Sequence, residues 1–272
     1  MPINDTEATT LFTDRDMSGG ELVACATGIA AVFSASMPGR TSGNEDAAAV
    51  IALSAKLSVL AVADGMGGQP GGAQASKTAL HALNNSVQRG VKDEIDLRDA
   101  ILNGFERANE TVMAMGIGAG TTLAVLEIHG DRIRPYHAGD SIILVVGRGG
   151  KTKLETVSHS PVGYGLEAGL LCEEEAIEHV DRHLVSNYVG TPDMRIEIGA
   201  ELRLRPYDTV LIATDGLSDN LSMDKIVQLI RKGHLAHNTE QLAKKSGEAM
   251  RMPREGAPSK PDDLTFILYR RT

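Results

Sequence analysis

The sequence predicts an α+β fold, a four-layer α-β-β-α sandwich in which two antiparallel sheets pack together and a helix pair covers each outer face. Two blocks of short apolar runs, rich in Val, Ile and Ala, are each followed by two segments with helical periodicity. Short turns join many of the runs, and such turns force neighbouring strands to be antiparallel. No linker-like or repeated stretch interrupts the chain, so one layered domain accommodates all of these elements.

The first block covers roughly the first 112 residues. Residues 1–20 are polar and aperiodic, and we expect a flexible tail there, ahead of a single domain over residues 21–272. The expected strands are 22–34, 47–53 and 57–63. Two amphipathic helices should follow, with apolar stripes formed by Leu80, Leu83 and Val87 on the first and by Leu97, Ile101, Phe105, Ala108 and Val112 on the second.

The second block repeats this order with a longer interruption. Residues 158–190 lack a strong hydrophobic stripe, and we expect them to form a flap-like insertion, called the flap segment below. Two helices should lie between about residue 222 and residue 251. The expected strands of this block are 121–128, 132–137, 141–146, 153–157, 196–204, 209–214 and 264–270.

Composition excludes several classes of function. The 272 residues carry a net charge of -9 and contain no Lys/Arg-rich run, which argues against a nucleic-acid binder. No run of about 18 apolar residues or signal-like N-terminus is present, and two distant cysteines indicate neither disulfides nor a zinc site. We expect a cytoplasmic monomer that binds neither nucleic acid nor membranes.

Three acidic residues stand at the ends of predicted strands. Asp64 follows the apolar run 59–63 and precedes a glycine-rich turn, Asp215 follows the run 210–213, and Asp262 precedes the last strand. Carboxylates gathered at strand ends, without a His or Cys cluster, suit Mg²⁺ or Mn²⁺. Two such ions can activate a water for attack on phosphorus, so the pattern favours hydrolysis of a phosphoester.

Six short motifs strengthen this hypothesis because they occur together in a fixed order. The motifs are Asn44-Glu45-Asp46, Ala63-Asp64-Gly65-Met66-Gly67-Gly68, Gly120-Thr121-Thr122, Gly139-Asp140-Ser141, Thr214-Asp215-Gly216 and Asp262-Asp263-Leu264-Thr265. With these motifs in this order, the chain resembles the PPM metal-dependent protein serine/threonine phosphatases, the protein phosphatase 2C-like family, in its bacterial form, from about residue 21 to residue 270.

The resemblance implies a binuclear Mn²⁺ or Mg²⁺ centre, with a third, weaker ion in some bacterial members. It implies that Asp64 bridges the two ions and that Asp215 and Asp262 complete the first. The second ion would be bound by the Gly65 carbonyl and, directly or through waters, by Glu45 and Asp46.

The third ion and the supporting groups follow from the same resemblance. Asp140 corresponds to the acid of the third ion, and Ser160 is a further candidate to face that ion. Asp263 stands where many relatives have Asn, which implies a supporting role rather than direct ligation. The flap segment corresponds to the family's mobile flap beside the catalytic centre.

Two positions depart from the family pattern. The family's phosphate-binding Arg stands four residues before the Glu, whereas Arg40 precedes Glu45 by five, with Gly43 as the apparent extra residue. Because a glycine can absorb one residue as a bulge, Arg40 remains the candidate that binds the phosphate. Met66 stands where eukaryotic relatives have His, so a water is expected to protonate the leaving group.

The implied function is hydrolysis of phosphoserine and phosphothreonine in proteins by a metal-bridging water or hydroxide. The implied partners are phosphorylated proteins, namely a bacterial Ser/Thr kinase that the enzyme opposes and the targets of that kinase. Two alternatives stay open. One is a catalytically weak pseudo-phosphatase that binds phosphoproteins, and the other is a phosphoesterase acting on small molecules with the same chemistry.

Overall fold

Two antiparallel sheets form the centre of the molecule. The computed structural model describes residues 8–66, 71–172, 175–176, 179–253 and 257–272. The first sheet contains β1 (Ala8–Thr13), β4 (Asp46–Ala52), β5 (Leu57–Asp64), β6 (Leu123–His129), β7 (Arg132–Ala138) and β10 (Glu197–Ile198) in that spatial order, and β11 (Leu202–Arg203) also pairs with β7. The second sheet contains, in spatial order, β2 (Glu21–Cys25), β3 (Gly28–Ala35), β13 (Leu264–Arg271), β12 (Thr209–Ala213), β8 (Ile142–Val146) and β9 (Thr152–Glu155).

The helices follow the strand blocks, as the periodicity predicts. In the described residues they are α1 (Gly72–Lys92), α2 (Leu97–Met113), α3 (Pro161–Glu167), α4 (Asp215–Ser218), α5 (Met223–Ile230) and α6 (Leu235–Arg251). None of these helices is both long enough and apolar enough to cross a bilayer.

Alternating residues on each strand divide the core into layers, which confirms the predicted four-layer sandwich. On β4, Ala47, Ala49 and Ile51 pack with α1 and α2, whereas Ala48 and Val50 face the second sheet. Between the sheets the core is formed mainly by Val, Ile, Leu and Ala. The outer face of the second sheet packs against α4, α5 and α6.

The flexible tail predicted for residues 1–20 is wrong over residues 8–13. These residues form β1, which pairs with β4 in the register Ala8 to Ala52, and Phe12 is fully buried between the sheets. The segment is rich in Thr, so it lacks the apolar run that marks the other strands. Backbone pairing with β4 and one aromatic anchor hold it instead. Residues 1–7 lie outside the described part of the chain.

Two predicted strands are divided in the structure. The run 22–34 is a hairpin of β2 and β3, with a turn at Ala26 and Thr27 in which Ala26 has a φ of +30°. The run 196–204 contains only the short strands β10 and β11. In the flap segment, α3 begins after Ser160, whose hydroxyl caps the helix by accepting a hydrogen bond from the Gly163 amide.

Candidate active site

Four strand ends bring carboxylates from both sheets to one edge of the sandwich. Asp46 opens β4 and pairs in register with Asp64, the last residue of β5. Asp215 follows β12, and Asp262 precedes β13, the antiparallel neighbour of β12. The Thr214 hydroxyl donates to Asp46 Oδ2 at 2.8 Å and so connects the two sheets.

Two threonines fix the backbone of Asp64. The Thr122 hydroxyl accepts from the Asp64 amide at 3.0 Å, and the Thr121 hydroxyl donates to the Asp64 carbonyl at 2.8 Å. Thr122 also shares a 2.7 Å hydrogen bond with the Ser141 hydroxyl. Thr121 and Thr122, with Ser141 bonded to Thr122, therefore hold the main chain at Asp64. This leaves the Asp64 carboxylate free to act as a ligand.

The glycine after Asp64 is required by space. A Cβ on Gly65 would collide with the Gly72 carbonyl and would lie 2.7 Å from the Glu45 carbonyl oxygen. The Gly65 amide donates to that same Glu45 carbonyl at 3.1 Å. This packing joins the start of α1 and the loop before β4 to the end of β5, where the acids converge.

The acids repel one another strongly. Burial, together with the charges of Asp46, Asp215, Asp140 and Asp262, raises the pKa of Asp64 well above its usual range. The pKa of Asp46 is raised well above the usual range by burial and by the charge of Asp263, although the Thr214 hydrogen bond opposes this.

The turn after β7 adds a further acid to the same cluster. Burial and the charges of Asp215 and Asp219 raise the pKa of Asp140 to about 8. Burial and the charge of Asp215 raise the pKa of both Asp219 and Asp262 to about 6. So many buried carboxylates at one place require positive charge nearby.

Part of that positive charge comes from the chain. Lys260 Nζ lies 2.7 Å from Asp215 Oδ2, 2.9 Å from Asp219 Oδ2 and 3.2 Å from Asp262 Oδ2. The same ammonium is therefore shared among three carboxylates, and it brings one positive charge to all of them.

A cavity of about 210 Å³ opens beside Asp140, Asp215 and Asp219. Ser160 and Arg182 of the flap segment also line it. Ser160, the predicted neighbour of the third ion, therefore borders the same space as Asp140, although its hydroxyl is already engaged as the cap of α3. A polar group of a ligand can reach the acids from this side.

Arg40 is held at the edge of the site by two acids. Its guanidinium donates to Asp263 Oδ2 at 2.6 Å, to Glu45 Oε2 and to Ser42 Oγ at 2.8 Å. Burial lowers the pKa of Arg40, but Asp263 and Glu45 outweigh that effect and raise it. The extra residue Gly43 has a φ of +85°, a conformation that glycine adopts without strain, and no atom would crowd a side chain there.

Asp263 supports this loop, as the sequence predicts. It accepts hydrogen bonds from the amides of Met37 and Glu45, each at 2.7 Å, in addition to the bond from Arg40. The Glu45 carboxylate, predicted to bind a metal ion or its waters, is paired with Arg40 in this structure.

The donor set fits divalent cations. Carboxylate oxygens dominate the cluster, one ammonium serves three of the acids, and the raised pKa values reflect burial and repulsion that a cation would offset. Asp64, Asp215 and Asp262 are the residues that would hold one ion, and Asp46 and the Gly65 carbonyl lie beside Asp64 for a second.

Two histidines and a glutamate form a separate group behind the Asp140 turn. Ligand atoms of His137, His159 and Glu197 lie within 4.8 Å of one another, so by residue type the group could hold a metal. However, His159 Nδ1 accepts from the amide of Gly139 at 3.2 Å and from Asn187 Nδ2 at 2.8 Å.

The Asn187 amide is oriented by two 2.8 Å hydrogen bonds with the Arg195 backbone, so its nitrogen is the donor to His159. His159 Nε2 then carries the proton and donates to Glu197 at 3.0 Å, which leaves it no lone pair for a metal. The group braces the turn that presents Asp140.

The sequence-based predictions do not include two residues of the site, the acid Asp219 and the lysine Lys260. Asp219 lies four residues after Asp215, one helical turn away, and that spacing could have indicated it. Lys260 lies in a Pro/Gly-rich loop where no periodicity marks a buried position. Only the fold shows that this loop passes over the acids.

The chain is similar to known protein phosphatases. A family model described as Protein phosphatase 2C matches residues 38–250, which is most of the chain. Protein phosphatase PhpP of Streptococcus pneumoniae is 30% identical over 199 residues, covering 70% of this chain and 80% of that protein.

Solved structures agree with this assignment. The serine/threonine phosphatase PstP/Ppp of Mycobacterium tuberculosis has a TM-score of 0.71 at 26% identity, with 89% of this chain and 97% of that one covered. The catalytic domain of PstP in complex with two manganese ions has a TM-score of 0.70 at 25% identity, with 89% and 96% covered. This chain therefore belongs to the protein phosphatase 2C family and is a protein phosphatase of that class.

Proposed function

We propose that the chain hydrolyses phosphoserine and phosphothreonine in proteins at a binuclear Mn²⁺ or Mg²⁺ centre. The observation that carries this proposal is the convergence of Asp46, Asp64, Asp215 and Asp262 from both sheets at one edge of the sandwich. The related PstP domain with two manganese ions and the serine/threonine names of similar phosphatases support the choice of cofactor and substrate.

Each residue has a distinct part in this proposal. Asp64, fixed by Thr121 and Thr122, would be shared between the two ions, and Asp215 and Asp262 would hold the first. Asp46 and the Gly65 carbonyl would hold the second ion, with Glu45 near its waters. Bound there, the ions supply Lewis acidity that makes a water nucleophilic and stabilises charge on the phosphoryl oxygens.

Arg40 is the proposed phosphate-binding residue. Its guanidinium can give up Glu45 while Asp263 still holds it, and a planar guanidinium suits two phosphoryl oxygens. Met66 has no proton to donate, so the leaving serine or threonine oxygen takes its proton from water. We further propose a cytoplasmic enzyme that opposes a Ser/Thr kinase.

One feature favours the pseudo-phosphatase as a second candidate. Arg40 and Lys260, two cations close to the site, are both paired with acids in this structure, so neither is poised for a phosphate. A chain that binds phosphoproteins without turnover would tolerate this arrangement. Turnover measurements separate the two candidates.

The experiment compares wild type with Asp64→Asn on p-nitrophenyl phosphate and on a phosphothreonine peptide, with Mn²⁺ and with a chelator. We expect turnover only with metal, and a loss of kcat/KM of about 100-fold or more in the variant, because several kcal/mol of charge stabilisation are removed. Asp131→Asn, at an acid paired with Arg203 outside the cluster, is the matched control and should keep full activity.

Each outcome decides between the candidates. No turnover with Mn²⁺ or Mg²⁺, combined with retained phosphopeptide binding, would assign the pseudo-phosphatase. Turnover of p-nitrophenyl phosphate and of small phosphoesters but not of phosphopeptides would assign the small-molecule phosphoesterase. Equal activity with metal and with chelator would overturn both the metal centre and the proposal.

A further inference from the structure

Lys260 is the cation that the chain itself brings to the acid cluster. Its ammonium contacts three carboxylates, those of Asp215, Asp219 and Asp262, at 2.7, 2.9 and 3.2 Å. Its side chain is only 25% exposed. A lysine that merely screened a surface would keep its ammonium in water, because an exposed ion pair contributes little to stability.

The main chain of Lys260 is fixed so that the side chain points into the cluster. Asn220 Nδ2 donates to the Lys260 carbonyl at 2.7 Å, and Asn220 Oδ1 accepts from the Lys260 amide at 2.9 Å. Asn220 is buried and is itself held by the Gly216 carbonyl at 3.0 Å. Lys260 is therefore anchored directly to the segment that begins with Asp215.

An ammonium and a divalent ion compete for the same oxygens. Asp215 and Asp262 are two of the three acids assigned to the first ion, and Asp219 borders the cavity shared with Asp140. With +1 charge and three donors, Lys260 satisfies part of what a divalent ion would satisfy. Any ion placed between Asp215 and Asp219 must displace it.

We infer that Lys260 takes the place of one divalent cation among Asp215, Asp219 and Asp262. The chain consequently binds fewer ions, or binds its weakest ion less tightly, than the acid cluster alone would allow. This inference rests on the proposed function only in treating Asp215 and Asp262 as metal-binding residues.

The test is Mn²⁺ binding to metal-free protein, measured by titration calorimetry, for wild type and for Lys260→Met. We expect the variant to bind one more Mn²⁺ per chain, or to bind the weakest Mn²⁺ at least tenfold more tightly. Lys260→Gln removes the charge but keeps a hydrogen-bonding group, and it should show the same change if Lys260→Met does not fold. Lys260→Arg keeps the charge and should bind Mn²⁺ as wild type does.

Lys153→Met is the matched control. Lys153 Nζ contacts both oxygens of Asp208 at 2.7 and 2.6 Å, so it is another carboxylate-paired lysine, but it lies away from the cluster. This variant should lose stability without any change in Mn²⁺ binding.

The melting temperature gives a second readout. Without metal, Lys260→Met should melt below wild type, because three acids lose their cation, and Mn²⁺ should raise its melting temperature more than it raises that of wild type. Unchanged or weaker Mn²⁺ binding in both neutral variants would overturn the inference. Because binding is measured without turnover, the result decides the role of Lys260 even if no phosphopeptide is hydrolysed.

Discussion

At the scale of single residues, hydrogen bonds between the two sheets decide how the buried acids are held. Thr214 donates to Asp46 and accepts from the Thr265 amide at 3.1 Å, so its hydroxyl ties β12, β13 and β4 together at the site. Without it, Asp46 would lose the hydrogen bond that opposes the rise in its pKa.

The Thr214→Val substitution tests this contact, because valine keeps the shape and removes the hydroxyl. We expect the free energy of unfolding at pH 7 to fall by about 1–3 kcal/mol, since a buried acceptor loses its donor. Urea denaturation measures it. Thr111→Val on the exposed face of α2 should change stability by less than about 0.5 kcal/mol, and an equal loss in both variants would contradict the assigned role.

Arg40 should act on substrate binding more than on the chemical step. For Arg40→Ala we expect KM for a phosphothreonine peptide to rise by about tenfold, because one charge-assisted contact to phosphate contributes roughly 1.5–3 kcal/mol. Arg40→Lys keeps the charge without the planar fork, so its KM should be intermediate. If steady-state kinetics show an unchanged KM for both variants, another group binds the phosphate.

Residue-level prediction succeeds where a local pattern marks the residue. Asp64, Asp215 and Asp262 stand beside apolar runs, so their positions at strand ends follow from the sequence alone. Asp219 and Lys260 do not stand beside such runs: Asp219 is indicated only by its spacing of one helical turn from Asp215, and Lys260 lies in a loop. The participation of Lys260 depends on the path of the chain after α6, which short-range patterns do not contain.

At the scale of elements, the site depends on how closely β5 approaches the start of α1. Gly65 lies against the Gly72 carbonyl, so there is no space for a side chain at Gly65. The end of β5 therefore packs directly against the start of α1, next to Asp64.

Gly65→Ala should destabilise the protein by about 1–3 kcal/mol, because the added methyl group must push two backbone segments apart. The same shift should move Asp64 and lower kcat. Gly149→Ala in the β8–β9 turn is the control, since nothing lies within 4 Å of a Cβ there. Thermal and urea denaturation of both variants provide the comparison, and equal stability of Gly65→Ala and wild type would show that the contact between Gly65 and Gly72 accommodates a methyl group.

Elements are predictable where a helix buries one periodic stripe or where a strand is apolar throughout because both of its faces are buried. The stripes of α1 and α2 and the apolar runs of β4, β5, β8 and β12 indicate their structures directly. The sequence predicts one strand where β2 and β3 form a hairpin, because the turn at Ala26 and Thr27 contains neither glycine nor proline. The sequence pattern does not indicate β1, because the stability of this strand comes from pairing with β4, a distant partner.

At the scale of the whole molecule, charge is distributed so that the acids at one edge of the sandwich lower the stability of the metal-free state. In the folded chain the pKa values of Asp219 and Asp262 are raised to about 6 and that of Asp140 to about 8. In an unfolded chain an aspartate has a pKa of about 4. The stabilising contribution of these protonated acids is present below pH 4 and is lost as the pH rises through 6 to 8.

The metal-free protein should therefore become less stable from about pH 4 to about pH 8. In saturating Mn²⁺ this fall should be much smaller, because bound cations favour the ionised acids. Melting temperatures across this pH range, with chelator and with Mn²⁺, provide the measurement. Identical pH profiles under both conditions would mean that these carboxylates do not bind the ion.

The most direct test of the central claim is the anomalous scattering of manganese from crystals of the protein grown with Mn²⁺. We expect two strong peaks at the edge of the sandwich, the first contacted by Asp64, Asp215 and Asp262 and the second by Asp64 and the Gly65 carbonyl. Crystals that show no manganese among these carboxylates, in protein that still hydrolyses a phosphothreonine peptide, would contradict it.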